Sequence, residues 1–240
     1  DMWVLRLDGS GNILWQQVYR EGTENRGNQA FDVQETTDGG FVVIGRNFTY
    51  ETGDNLWIIK LDSSGNIIWE KLYSGQMEWG MRSIRKTPKG GFIVGATIFG
   101  DGPGNNDILV LQLDESGNIV WQKAYGLGGY EYCVIVQPSA DGGYIVGGWT
   151  DFDFSNSFFL IMKLDPDGNI AWQKYYHGAD WESWSFVQET KEGAILLVGP
   201  TDSLGAGEND AIVLKLDADG DINDECPYLK SANMTAVDSS

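Results

Sequence analysis

Histidine is almost missing from this chain: His177 is the single one among 240 residues. That excludes a zinc site built from several histidines. A serine–histidine–acid triad would have to use His177, which sits in a Tyr-Tyr-His-Gly stretch with no nucleophile motif around it. Basic residues are also scarce. Sixteen Lys and Arg face 35 Asp and Glu, for a net charge of −19 and a pI near 4.2, which argues against nucleic acid and anionic membranes as partners. The acid excess serves solubility, with cation binding or life in salt as sharper readings. No apolar run is long enough to span a bilayer as a helix, so no membrane insertion is expected. No segment shows a helical period, so helix should be nearly absent. The opening at Asp1 rather than methionine reads as a processed form or a fragment. Cysteine is limited to Cys133 and Cys226, an even pair that leaves a disulfide open.

What the chain does contain is repetition. Leu61-Asp62-Ser63-Ser64-Gly65-Asn66-Ile67-Ile68-Trp69 recurs at 7–15, 113–121 and 164–172, at intervals of about fifty residues. A fifth copy starts at Leu216-Asp217 and then fails, with Asp224 where the tryptophan should stand. The motif reads as a β-hairpin. Alternating apolar residues lead in, Asp62 opens a type I turn, and Gly65 takes the left-handed position of a bulge. In the fourth copy Pro166 falls on the second turn position, where its fixed φ fits. A metal loop is the other reading of Asp-x-x-Gly-Asn, but four nearly identical turns are better explained by geometry. The glycines at 11, 65, 117 and 168 should therefore have positive φ, and Trp15, Trp69, Trp121 and Trp172 should be equivalent buried positions.

Set in register, each unit supplies four strands. In the second unit these are 81–87, 92–96, 107–113 and 118–125, and the first two recur at 30–36 with 41–45, 133–139 with 144–148, and 184–190 with 195–199. Four-stranded units at this period predict an all-β, propeller-like array of four-stranded blades, about four to five of them, with the terminal ones incomplete. The repeat domain covers 1–222, and 223–240 reads as a Ser/Thr/Ala-rich tail or linker. The ends do not match a closed ring: the third strand occurs five times and each of the others four. One strand is surplus.

The Leu-Asp-x-x-Gly-x-Ile-x-Trp hairpin resembles the outer strands of quinoprotein-like propeller repeats. More closely, Asp-Gly-Gly-Phe-Val-Val followed by Lys-Leu-Asp-Ser-Ser-Gly-Asn-Ile-Ile-Trp is similar to the secreted propeller repeats of archaeal and bacterial surface proteins. The resemblance spans about residues 1–222 and is specific for the repeat, not for an activity. It implies an extracellular or cell-surface domain. No adjacent cysteine pair is present, so a quinone cofactor is set aside, and no cofactor is expected unless calcium.

In such an array the short turns share one face, and the variable loops share the other. Function, if local, belongs with the loops. They carry aromatics and acids, among them Trp79, Tyr130, Trp149 and Trp181, a set that suits a sugar as well as it suits gaps between blades. Trp184 begins the innermost strand and should narrow the channel mouth. Arg82, where other units have Phe31, Val134 and Ser185, is the odd charge near that mouth: an anion or a neighbouring acid would pair it. Glu131 and Glu182 could serve a glycosidase, though acids are plentiful throughout. Asp217, Asp219 and Asp221 form the densest acidic cluster and resemble the opening of a calcium loop, with a degenerating hairpin turn as the plainer account. Asn47 and Asn233 stand in N-glycosylation sequons. The sequence thus points to a non-enzymatic structural or adhesive module, self-associating through unpaired terminal strands into oligomers or filaments. The competing class is a glycan-binding lectin or glycan-active enzyme on the loop face.

Overall fold

The repeat's aspartate closes its own turn. The computed structural model describes the chain apart from residues 21–26, 50–52, 76, 78–81, 101–103, 152–156, 179–180, 184–185, 204–209, 223–228, 232–234 and 239–240. In it, Asp62 Oδ1 accepts the backbone N–H groups of Ser64 at 2.8 Å and Asn66 at 2.9 Å, while Oδ2 accepts the Asn66 side-chain amide. Asp8, Asp114 and Asp165 repeat the set. At Asp8 and Asp62 the asparagine amide, donating to the charged form, holds the carboxyl below its ordinary value. The glycines at 11, 65, 117 and 168 have φ of 85°, 85°, 76° and 76°, the left-handed conformation the bulge requires.

Strands follow from these turns. β1 (Met2–Leu7) and β2 (Ile13–Tyr19) form a hairpin. β3 (Gly27–Glu35), β4 (Phe41–Thr49), β5 (Gly53–Leu61) and β6 (Ile67–Tyr73) form an antiparallel meander. β7 (Ser83–Lys86), β8 (Phe92–Phe99), β9 (Asn106–Leu113) and β10 (Ile119–Gly126) take the same order. So do β11 (Tyr130–Pro138), β12 (Tyr144–Asp151), β13 (Ser157–Leu164) and β14 (Ile170–Tyr176). One parallel bridge, Tyr130 to Asn106, joins the second and third meanders into one mixed sheet. The last unit has three strands, β15 (Phe186–Glu189), β16 (Ile195–Thr201) and β17 (Asp210–Leu216). The segment expected as a tail adds β18 (Leu229–Ser231) and β19 (Thr235–Asp238), which run along the outer edges of β14 and β10. No helix occurs among the described residues.

The chain is therefore all-β and built of several sheets. The closed ring of blades is not present among the described residues. The hairpin lacks inner strands, the last unit lacks a fourth, and the surplus third strand, β17, pairs with β16.

Apolar residues within each meander alternate between two cores, as the period of two demands. In β5, Trp57, Ile59 and Leu61 pack toward the hairpin with Met2 and Tyr19, while Leu56 and Ile58 pack toward the next unit with Ile84, Val94 and Leu111. Ile93, Val110 and Tyr125 then face Val136, Tyr144 and Leu160, and Ile135, Phe159 and Ile161 face Val187, Leu197 and Ile212.

A strut of aromatics fixes each unit on the next. The Trp15, Trp69, Trp121 and Trp172 rings lie over Gly65, Gly117, Gly168 and Gly220, where a Cβ would come within 3.2, 3.0, 2.9 and 2.8 Å of them. Beside them the Tyr19, Tyr73, Tyr125 and Tyr176 hydroxyls donate to the carbonyls of those same glycines at 2.6, 2.5, 2.6 and 2.7 Å. Burial pushes the Tyr19 hydroxyl up to about 12. The tryptophans are half-buried rather than fully buried, because they cap the outer rim of each interface. Trp15 and Trp69 also donate Nε1–H to the Ser63 and Glu115 carbonyls at 3.0 and 3.1 Å.

Two expectations about modification are corrected. Asn47 is fully buried in β4 and donates its amide to Asn28 Oδ1 at 3.0 Å, so its sequon is out of reach in the folded chain. Asn233 lies outside the described residues. Cys133 is a buried free thiol, with no disulfide, and burial pushes it up to about 12; Cys226 lies outside the described residues.

Trp69→Ala should cost about 3 kcal/mol, the lower end for a large aromatic because its ring is half-buried. Tyr125→Phe, which removes one buried hydrogen bond, should cost about 1 kcal/mol. Chemical denaturation of both variants checks the strut, and a Trp69→Ala variant as stable as its parent would refute it.

Candidate functional site at the loop end

The two ends of the sheets differ. At the short-turn end a cleft of about 920 Å³ opens between the first and second meanders, lined by Thr36, Lys60, Trp69, Lys89 and Phe92 among others. Its Lys60 is tied down: Nζ donates to Asp38 at 2.9 Å and to Thr36 Oγ1 at 2.6 Å. Lys163 makes the same pair with Asp141 and Ser139 in the third meander, so this arrangement recurs as scaffolding. In the second unit Lys89 stands where Asp38 and Asp141 stand, and Gln112 where Lys60 and Lys163 stand.

At the loop end a polar pair closes the first two strands of three units. Asn47 donates to Asn28, Thr150 Oγ1 to Glu131 Oε1 at 2.9 Å, and Thr201 Oγ1 to Glu182 Oε1 at 3.1 Å. Each pair joins residues in direct register across the strands. In the second unit the equivalent bridge is apolar, Met77 to Ile98.

Glu131 differs from its counterparts in what the preceding unit presents to it. Asp107, in β9, is fully buried, as is Glu131. Both converge on one glycine: a Cβ on Gly104 would sit 3.2 Å from Asp107 Oδ1 and 3.3 Å from Glu131 Oε2. Glu131 Oε2 has no hydrogen-bond partner among the described residues. Burial above all, helped by the Asp107 charge, pushes the Glu131 carboxyl up to about 7 against the hydrogen bonds from Thr150 and the Leu127 and Gly129 backbone. At Glu182 the preceding unit presents Ser157, whose hydroxyl donates to the Glu182 carbonyl at 2.5 Å. The two glutamates therefore do not act as a pair with each other; Asp107, which the sequence reading passed over, is the carboxylate that meets Glu131. Asn-Asn-Asp before β9 was the available signal.

Of the aromatics, Tyr130 is half-buried at the start of β11, next to Glu131. Trp149 stacks on Tyr132, centroids 4.1 Å apart and planes 12° from parallel. Trp181 is exposed, and its carbonyl accepts the Asp202 N–H at 2.9 Å. Trp79 and Trp184 lie outside the described residues. Arg82 is buried rather than standing at a mouth. Its guanidinium lies 5.0 Å from the Phe31 ring, and burial lowers it to about 10 while the nearby Asp54 charge pulls the other way.

The calcium reading of Asp217, Asp219 and Asp221 is corrected. Asp217 Oδ1 accepts the N–H groups of Asp219 and Asp221 at 3.0 and 2.8 Å, the geometry of the other four turns, and Asp221 pairs with Lys174. Among the described residues no three His, Cys, Asp or Glu converge as metal ligands.

No protein-family model matches this chain, and no curated protein matches it. Solved structures share the fold. The endo-arabinase from Bacteroides thetaiotaomicron VPI-5482 superposes with a TM-score of 0.50 at 8% identity, over 89% of this chain and 82% of that one. At that identity the likeness concerns the fold alone.

The expectation that the chain is not an enzyme loses its ground, since a fold of this kind is also that of an endo-arabinase. The exclusion had rested on missing histidines and nucleophile motifs. Glycosidic chemistry requires neither, only two suitably placed carboxyl groups.

The raised Glu131 carboxyl makes stability pH-dependent. The folded chain keeps a proton there that the unfolded chain loses, so the contribution is complete below pH 4.5 and disappears as pH rises through about 7. Over that window it amounts to roughly 3 kcal/mol. In urea titrations from pH 4.5 to above 7, Glu131→Gln should flatten this slope.

Proposed function

We propose that the chain is a glycan-active module: a propeller-like array of blades whose loop end binds a carbohydrate, with Glu131 as the acid–base group. The observation that carries the reading is the buried Glu131 carboxyl, raised to about 7 beside Asp107. A carboxyl near neutrality can give a proton to a leaving oxygen and take one back. Both carboxylates reach Gly104, which keeps their facing oxygens at most about 6.5 Å apart, and glycosidic hydrolysis works through a pair of nearby carboxyl groups.

Aromatic planes suit the same ligand. Tyr130 adjoins Glu131 in sequence, the Tyr132–Trp149 stack lies on the neighbouring register pair, and Trp181 offers an exposed ring. Such rings pack against the CH faces of sugars while carboxylates accept hydroxyl protons. The endo-arabinase of similar fold makes arabinan the first polysaccharide to try.

A panel of soluble polysaccharides, arabinan included, tests this by binding and by release of reducing ends. The chain should bind and cleave at least one. Glu131→Gln should lower the rate about 100-fold or more while binding persists. Binding without cleavage, unchanged in Glu131→Gln, would reassign the module as a lectin. Neither binding nor cleavage anywhere in the panel would sink the proposal.

A further inference from the structure

We propose that the cleft between the first and second meanders binds an acidic saccharide, its carboxylate held by the Thr37 N–H, Lys86 and Lys89. One interface of the repeat already holds a carboxylate at the equivalent place. Between the third and fourth units, Glu189 Oε1 accepts the Ser139 hydroxyl and Oε2 accepts the Ala140 N–H, each at 3.0 Å. The residue before the first hairpin turn is Glu35, Lys86, Pro138 and Glu189 in successive units, each paired with the first residue of the following strand. Lys86 therefore stands toward the first meander as Glu189 stands toward the third, with Thr36 and Thr37 in the places of Ser139 and Ala140. A lysine has no lone pair to offer an N–H. Among the described residues the Thr37 N–H accordingly has no acceptor, whereas the Ala140 N–H has one.

The charge reverses a second time three residues on. Lys89 takes the turn position held by Asp38, Asp141 and Glu192 in the other units. Both lysines line the cleft with no carboxylate partner among the described residues. Of the acids beside them, Asp38 is neutralised by Lys60, which leaves Glu115 against two lysines. In a chain of net charge −19, two bases in place of acids concentrate positive potential where the internal carboxylate is missing. The rest of the wall suits a sugar. Trp69 is half-buried with its ring edge-on to Phe92, Ile68 is exposed, and Thr37 and Ser116 add hydroxyls. The volume of about 920 Å³ is that of a ligand site. This cleft lies at the opposite end of the sheets from Glu131, so it stands independently of the reaction proposed there.

Titrating the 240-residue chain with trigalacturonate, followed by calorimetry and by the Thr37 amide resonance, tests this. The trisaccharide should bind and shift that resonance, more weakly as salt is raised. Its methyl ester, which lacks the charge, and acetate, which lacks the sugar, should each bind about tenfold more weakly or worse. Lys86→Glu supplies the carboxylate found in the fourth unit. It should shift the Thr37 amide without ligand and weaken trigalacturonate binding about tenfold or more. Lys89→Asp, which restores the residue of the first and third units, should weaken it too. Both side chains are exposed, so both variants should keep the parent's circular dichroism spectrum. Absence of trigalacturonate binding overturns the proposal, as does equal binding of the ester or of acetate, or variants that bind as the parent does. A Thr37 amide that stays still on binding also overturns it, since the carboxylate would then sit elsewhere.

Discussion

The contact on which everything else depends is an indole laid over a glycine. Each fourth strand sends a tryptophan onto the turn glycine of the next unit, with a tyrosine hydroxyl bonded to that glycine's carbonyl. The turn can receive the ring only because no Cβ is present and because the aspartate holds the backbone in the left-handed bend. Turn chemistry and sheet stacking are therefore one constraint. A single meander with apolar residues on both faces cannot be stable alone, so stability grows by nearest-neighbour interfaces, as in other repeat proteins.

Repetition also makes departures informative. The loop-end pair is Asn with Asn, Glu with Thr, and Glu with Thr in three units, and apolar in the fourth. That pattern alone is scaffolding, a hydrogen bond closing the ends of two strands. At Glu131 the preceding unit adds a second carboxylate, Asp107, and burial lifts the Glu131 carboxyl toward neutrality. At the opposite end the departure is Lys89 in place of an aspartate, beside a cleft whose Lys60 is already spent on a structural pair. Chemistry and scaffold share the same register positions, and what separates them is a neighbour about twenty-four residues away in another strand.

Much of the fold could be read from consecutive residues. The turn needs Asp, Gly and Asn at fixed offsets, and the strands need alternating apolar side chains, so both are written locally and repeated. The bulge glycines and the order of strands in the second and third units follow from that. Distances between residues far apart in the chain are not written this way. Asn47 lies in a sequon, yet its place across from Asn28 at the buried end of two strands removes it from solvent. Arg82 reads as an odd charge at a mouth, and the preceding unit's Phe31 covers it. Asp217 to Asp221 reads as an ion loop, and Lys174 from the preceding unit takes Asp221. The sequence by itself determined an all-β repeat with its turns, register and two-faced sheets, because those depend on neighbours within a few residues. Only the tertiary structure decided that β17 pairs with β16 and that Glu131 meets Asp107, because burial and electrostatics are set by which units stand next to each other.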